Sequence, residues 1–129
     1  MSSECPSSYR QFLLRFNGGR PTPSYFWLGS VGDGAWFRIH FFFGIDDDVE
    51  CCDLLWNHAT FKHRLPSRVI PVASDEFGNL FCFDLRTSEH APVLFWDHEK
   101  EGQGEAAALR IKVADSFEDW IDQLTVRGD

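Results

Sequence analysis

Between Val69 and Glu99 the chain alternates in a way that leaves few folds open. Val69–Ser74 is a β-branched run interrupted by Pro71, Asn79–Leu85 puts Phe81, Phe83 and Leu85 on one face with a period of two, and Val93–Trp96 is a third short apolar run. The link Asp75-Glu76-Phe77-Gly78-Asn79 combines side chains that bond turn amides with a glycine free to take positive φ, so the chain is predicted to reverse there. Asp75 is expected to hold that turn by accepting backbone N–H bonds. The stretch therefore predicts an antiparallel meander. Pro71 has no N–H to donate, so its strand must lie at a sheet edge or bulge at that residue.

At 129 residues the chain reads as one domain over 1–129, long enough to bury roughly two thirds of the surface its unfolded form exposes. Thirteen Phe and five Trp predict an aromatic core with a few rings reaching the surface. A net charge of −8 argues against nucleic acid or an anionic membrane as a direct partner and favours a basic protein. The opening MSSECPSS lacks a cationic segment followed by an apolar run, and no stretch reaches the length of a membrane span. A cytoplasmic location is expected. Cys5, Cys51, Cys52 and Cys82 show no CxxC spacing and are expected to be reduced thiols.

Pro6 suits the first position of a helix whose face carries Tyr9, Phe12, Leu13 and Phe16, and Asn17-Gly18-Gly19 ends it. Tyr25–Leu28 is a short strand, Gly29–Gly34 a turn, and Ala35–Phe43 a longer strand. On the latter, Phe37, Ile39, Phe41 and Phe43 face one way and Trp36, Arg38, His40 and Phe42 the other. Asp46-Asp47-Asp48 is expected to cap a helix that starts near Val49, runs through Leu55, Trp56 and Ala59, and ends before Pro66. A calcium loop would need further alternating oxygen ligands, whereas Val49-Glu50-Cys51-Cys52 follows. Lys100–Glu105 reads as a charged loop and Leu109–Val113 as a last strand. The closing helix opens with Asp115-Ser116-Phe117-Glu118-Asp119, a capping-box pattern, and buries Phe117, Trp120, Ile121 and Leu124. Phe12, Leu13, Phe37, Ile39, Phe41, Phe81, Phe83, Phe95, Phe117 and Ile121 are expected to share one core.

No catalytic constellation emerges. Asp97-His98-Glu99 has the residue types for acid–base or metal chemistry, but consecutive strand residues point to opposite faces, so the triplet reads as a strand end with solvated charges and one packed His. His58 and His63 lie five apart and do not stack as an i, i+4 ligand pair. GxSxG, HExxH and Walker-type sequences are absent. No enzymatic activity, catalytic residue, cofactor or metal is expected.

Several segments together resemble a known family. Pro6 to Pro21 is similar to the opening P-x-x-Y-x-x-F-L-x-x-x-N-G-G-x-P of the SUKH superfamily, the Smi/Knr-type domain. Ile70-Pro71-Val72-Ala73 with Asp75, Gly78 and Asn79 resembles its I-P-I-A-x-D-x-x-G-N strand pair. Val93 to Glu99 resembles its V-x-x-W-D-H-E strand, and Ala114-Asp115-Ser116-Phe117 its A-x-S-F closing helix. One departure is that members usually carry a further helix before the opening motif, expected here to be missing or replaced. The resemblance implies an α+β fold with a mainly antiparallel β-sheet packed by helices. It also implies a non-enzymatic immunity protein that neutralises a polymorphic or contact-dependent toxin, often a nuclease. The alternative it implies is a regulatory or scaffold interaction domain, the role of longer fungal members. On the immunity reading the partner is a cognate toxin with a basic surface. The candidate contact residues are then Asp46, Asp47, Asp48, Glu50, Asp97, Glu99 and Glu101 as charges, with Trp36 and Trp96 as ring anchors.

Overall fold

The computed structural model describes residues 7–16, 18–29, 31, 34–45, 54–61, 63–86 and 91–126. In chain order the elements are α1 (Ser7–Phe16), β1 (Tyr25–Leu28), β2 (Ala35–Arg38), β3 (Phe41–Phe42), α2 (Leu54–Phe61), β4 (Val69–Ser74), β5 (Leu80–Asp84) and β6 (Val93–Trp96). A 3₁₀ helix (His98–Gln103), α3 (Glu105–Ala108), β7 (Ile111–Ala114) and α4 (Phe117–Asp122) follow. The fold is α+β. Strands β3-β4-β5-β6-β7 form a five-stranded antiparallel sheet, and β1-β2 a separate hairpin.

The predicted meander is the middle of the large sheet. Pro71 is accommodated by a shift in register between Pro71 and Ala73, so the strand bulges where the ladder donor is missing. Asp75 closes the β4–β5 turn: its Oδ1 accepts from the N–H of Phe77 (2.8 Å) and of Asn79 (2.9 Å), while Oδ2 accepts from Asn79 Nδ2 (2.8 Å). Asn79 then accepts from the His98 N–H at 3.0 Å. One Asx turn thus fixes both the meander and the start of the 3₁₀ helix.

Strand alternation assigns the two faces of the sheet. Phe81, Phe83 and Phe95 point to one side, where Phe81 packs against Phe26 and Trp120, Phe83 against Tyr9 and Phe117, and Phe95 against Phe37. The hairpin, α1 and α4 cover this side. Trp96 points to the other, against Phe61 of α2. With both faces covered, every residue of β5 and β6 is buried. Burying each such Phe contributes on the order of 1.5–3 kcal/mol.

Ile39, Phe81, Phe83, Phe95 and Phe117 are buried as expected, while Phe12, Phe37, Phe41 and Ile121 are partly buried against them. The Leu13 side chain lies outside the described part. Phe16, in the last turn of α1, stays on the predicted stripe against Phe12 (5.6 Å) but is 61% exposed. The predicted strand Ala35–Phe43 is two strands in different sheets. Ile39 N–H donates to Ser24 on the hairpin side (2.9 Å), and the next N–H, of His40, donates to Ser74 of β4 (2.8 Å), so the chain changes partners within two residues.

The predicted loop after Lys100 is instead the 3₁₀ helix and α3, and the last strand begins at Ile111 rather than Leu109. Ser116, extended at φ −156°, caps α4 by accepting from the Asp119 N–H at 3.1 Å, in line with the predicted capping pattern. Asp46, Asp47, Asp48, Val49 and Glu50, with their predicted capping role, lie outside the described residues, as do Cys5, Cys51 and Cys52. Among the described residues no helix is long and apolar enough to cross a membrane.

Candidate functional site

The hairpin has two unlike faces. Its register pairs Tyr25 with Arg38, Phe26 with Phe37, Trp27 with Trp36 and Leu28 with Ala35. Phe26 and Phe37 stack at 5.4 Å and point into the core, so alternation sends Tyr25, Trp27, Trp36 and Arg38 outward. Trp27 stands edge-on to Trp36 at 5.4 Å, and Trp36 edge-on to Tyr25 at 6.3 Å. The Arg38 guanidinium lies 5.3 Å from the Tyr25 ring centre and bonds Glu76 at 2.8 Å and Ser24 Oγ at 3.3 Å.

Trp27 is 48% exposed. Its indole lies over the hairpin turn, where a Cβ on Gly34 would come within 2.0 Å of the ring. Gly34 also has φ +104°, so glycine both makes the turn and admits the indole. The result is a row of rings held in place on the outer face of the hairpin. Of this row the sequence singled out Trp36 as a candidate and not Tyr25 or Trp27, which share its face. The signal available was the period of two in both strands, which becomes a shared face only once their register is known.

The other anchor is a correction. Trp96 is 1% exposed and sits between α2 and Arg64, so it is a core ring and cannot serve as an interface anchor. Arg64 lies over the Phe61 and Trp96 rings at 4.8 and 5.2 Å. Its Nε and Nη2 each donate to Glu101 at 2.7 Å. This bond to Arg64 holds the Glu101 carboxyl below the ordinary glutamate range, and the same contact raises the Arg64 guanidinium. Glu101 is therefore already engaged. It also lies on the α2 side of the sheet, whereas Trp36 lies on the hairpin side, so the two candidates do not share a face.

Asp97-His98-Glu99 opens the 3₁₀ helix and is not a strand end. Asp97 caps that helix by accepting from the Glu99 N–H at 3.0 Å, His98 is exposed rather than packed, and Glu99 is exposed. The Asp97 carboxylate thus bonds backbone. Among the described residues no group of three or more His, Cys, Asp or Glu could hold a metal ion. Cys82 is fully buried, and burial pushes its thiol pKa up, away from nucleophilic use.

The model of the SMI1 / KNR4 family (SUKH-1) matches residues 3–123. The chain belongs to that family. A SPbeta prophage-derived uncharacterized protein of Bacillus subtilis (strain 168), YokK, is 26% identical over 141 residues, covering 96% of this chain and 68% of the relative. No solved structure matches. In this SUKH-1 chain the resembling segments fall on structural joints. The Gly pair closes the edge of β3, Ile70-Pro71-Val72-Ala73 forms the bulged strand, and Asp97-His98-Glu99 starts the helix stitched to the Asp75 turn.

Proposed function

We propose that this chain is an immunity protein that binds a polymorphic or contact-dependent protein toxin and neutralises it by occlusion, without chemistry of its own. Membership of the SUKH-1 family over residues 3–123 carries the reading. The prophage origin of the Bacillus relative and the net charge of −8 support it. A nuclease must present cations to phosphate, and an acidic protein can occupy those same cations.

Aromatic anchors carry most interface free energy and rim charges set the approach. On this reading Trp27 and Trp36 on the outer hairpin face are the anchors. Asp97 and Glu99, with Asp46, Asp47, Asp48 and Glu50, steer the encounter in the cytoplasm. Glu101, held by Arg64, contributes less.

The test needs the toxin encoded beside this gene. Co-expression should protect cells from it, and the purified pair should bind. Trp27→Ala should mainly speed dissociation, whereas Glu99→Lys should slow association and flatten its salt dependence. If cells die equally fast with and without this chain, and the two proteins do not bind at micromolar concentration, the immunity reading fails. The scaffold role then takes its place.

A further inference from the structure

The sheet edges of this protein are finished differently. The outer edge of β3 is closed by Gly19, which exchanges two backbone bonds with Phe42 (3.0 and 2.7 Å), and the outer edge of β1 by Thr125, which does the same with Tyr25 (3.2 and 2.7 Å). Strand β7 ends the five-stranded sheet and, among the described residues, pairs with β6 alone. Beside it lies a recess of about 570 Å³ lined by Lys100, Arg110 and Lys112 together with Asp97, Val31 and Ile111. All three cations are exposed. Lys112 pairs with Asp115, and Lys100 and Arg110 have no ion-pair partner among the described residues.

A concentration of cations at one open strand edge stands out on a chain of charge −8. An unpaired edge offers N–H and C=O groups to any extended chain, and charges beside it decide which chains can approach. A second copy pairing through β7 would bring these cations against their own equivalents, which disfavours self-association. An acidic strand meets the unpaired Lys100 and Arg110 here, on a chain whose net charge is otherwise negative.

We propose that the β7 edge is a second binding site, distinct from the hairpin face, that takes an extended acidic segment of a partner protein as an added antiparallel or parallel strand. The segment bonds its main chain along Ile111–Ala114, a length of about 13 Å, and its carboxylates meet Lys100, Arg110 and Lys112. Backbone pairing supplies affinity and the cations supply selection.

The probe is a soluble octapeptide alternating Glu with Val or Thr, compared with its Lys-for-Glu counterpart and with an acidic version interrupted by Pro. Fluorescence anisotropy with the full chain should show binding of the first only. That binding should weaken at least about tenfold on raising salt from about 50 to about 300 mM and in the double variant R110E/K112E. Hydrogen exchange should slow in residues 111–114 when the acidic peptide is added. Equal binding of the Pro-interrupted peptide would reduce the site to charge attraction and overturn strand addition. Absence of binding, with R110E/K112E prone to aggregate, would show that the cations only shield the edge, and would overturn the proposal outright.

Discussion

Arg64 lies across the Trp96 ring, 5.2 Å from its centre, while two of its nitrogens grip both carboxylate oxygens of Glu101 at 2.7 Å. The cation thus roofs a core indole, and the carboxylate fixes the roof. Exposed ion pairs by themselves contribute little stability, whereas removing the arginine also removes its packing. Glu101→Gln should therefore leave the melting temperature close to that of the parent. Arg64→Ala should lower it further and shift tryptophan fluorescence to the red as Trp96 meets water. By NMR the Glu101 carboxyl should titrate below the ordinary glutamate value of about 4.3 and return to it in Arg64→Ala.

Asp84 is 9% exposed and paired with Arg86 at 2.9 Å, which holds its carboxyl below the ordinary aspartate range. A carboxyl depressed in the folded state stabilises the fold fully above its unfolded value, about 3.9, and loses that contribution as pH falls through the folded value. Asp84→Asn should accordingly be less stable than the parent at neutral pH. The gap should shrink as the medium is acidified below about pH 4. Urea denaturation of both proteins across that range measures it, and a gap independent of pH would contradict the pairing.

Phe81 is 0% exposed and touches Phe26, Phe95 and Trp120, so it joins the hairpin, the meander and α4. Phe81→Ala should cost about 3–5 kcal/mol in chemical denaturation. Phe77, in the neighbouring turn, is 77% exposed. Phe77→Ala should stay within about 0.5 kcal/mol of the parent.

Gly18 has φ +89°, and a Cβ there would meet the Gly44 N at 2.7 Å and the Phe42 carbonyl at 2.8 Å. Gly19, at φ +100°, has nothing within 4 Å of a Cβ. Gly19→Ala should cost the left-handed backbone strain, about 1–2 kcal/mol. Gly18→Ala should cost clearly more, because backbone atoms must also move apart and loosen the α1–β3 junction. Equal melting temperatures for the two variants would argue against the close approach.

Where local chemistry suffices, sequence and structure agree. An Asp before Gly-Asn makes its turn bonds within four residues, and a Ser before an acidic turn caps its own helix, whatever lies further along the chain. Pro71 restricted its strand to an edge or a bulge, and β3 and β5 on either side decided for the bulge. The period of two also placed Phe81, Phe83 and Phe95 in the core. The break at Ile39 and His40 was hidden, because successive N–H groups bonding Ser24 and Ser74 depend on two distant segments.

The two tryptophans chosen as anchors show the same division at the candidate site. Both Trp36 and Trp96 sit in short aromatic strands, and nothing within a few residues distinguishes them. Which ring stays outward depends on what covers each face: Phe61 and Arg64, more than thirty residues earlier in the chain, bury Trp96, while the register of β1 with β2 lines Trp36 up with Trp27 and Tyr25 on the outside. The sequence alone determined the turns, the caps, the strand periods and the acidity, because each depends on neighbours in the chain or on a sum over it. The tertiary structure decided which faces are covered, which strand edges are closed and which charges are already paired, because those depend on contacts between segments far apart in sequence.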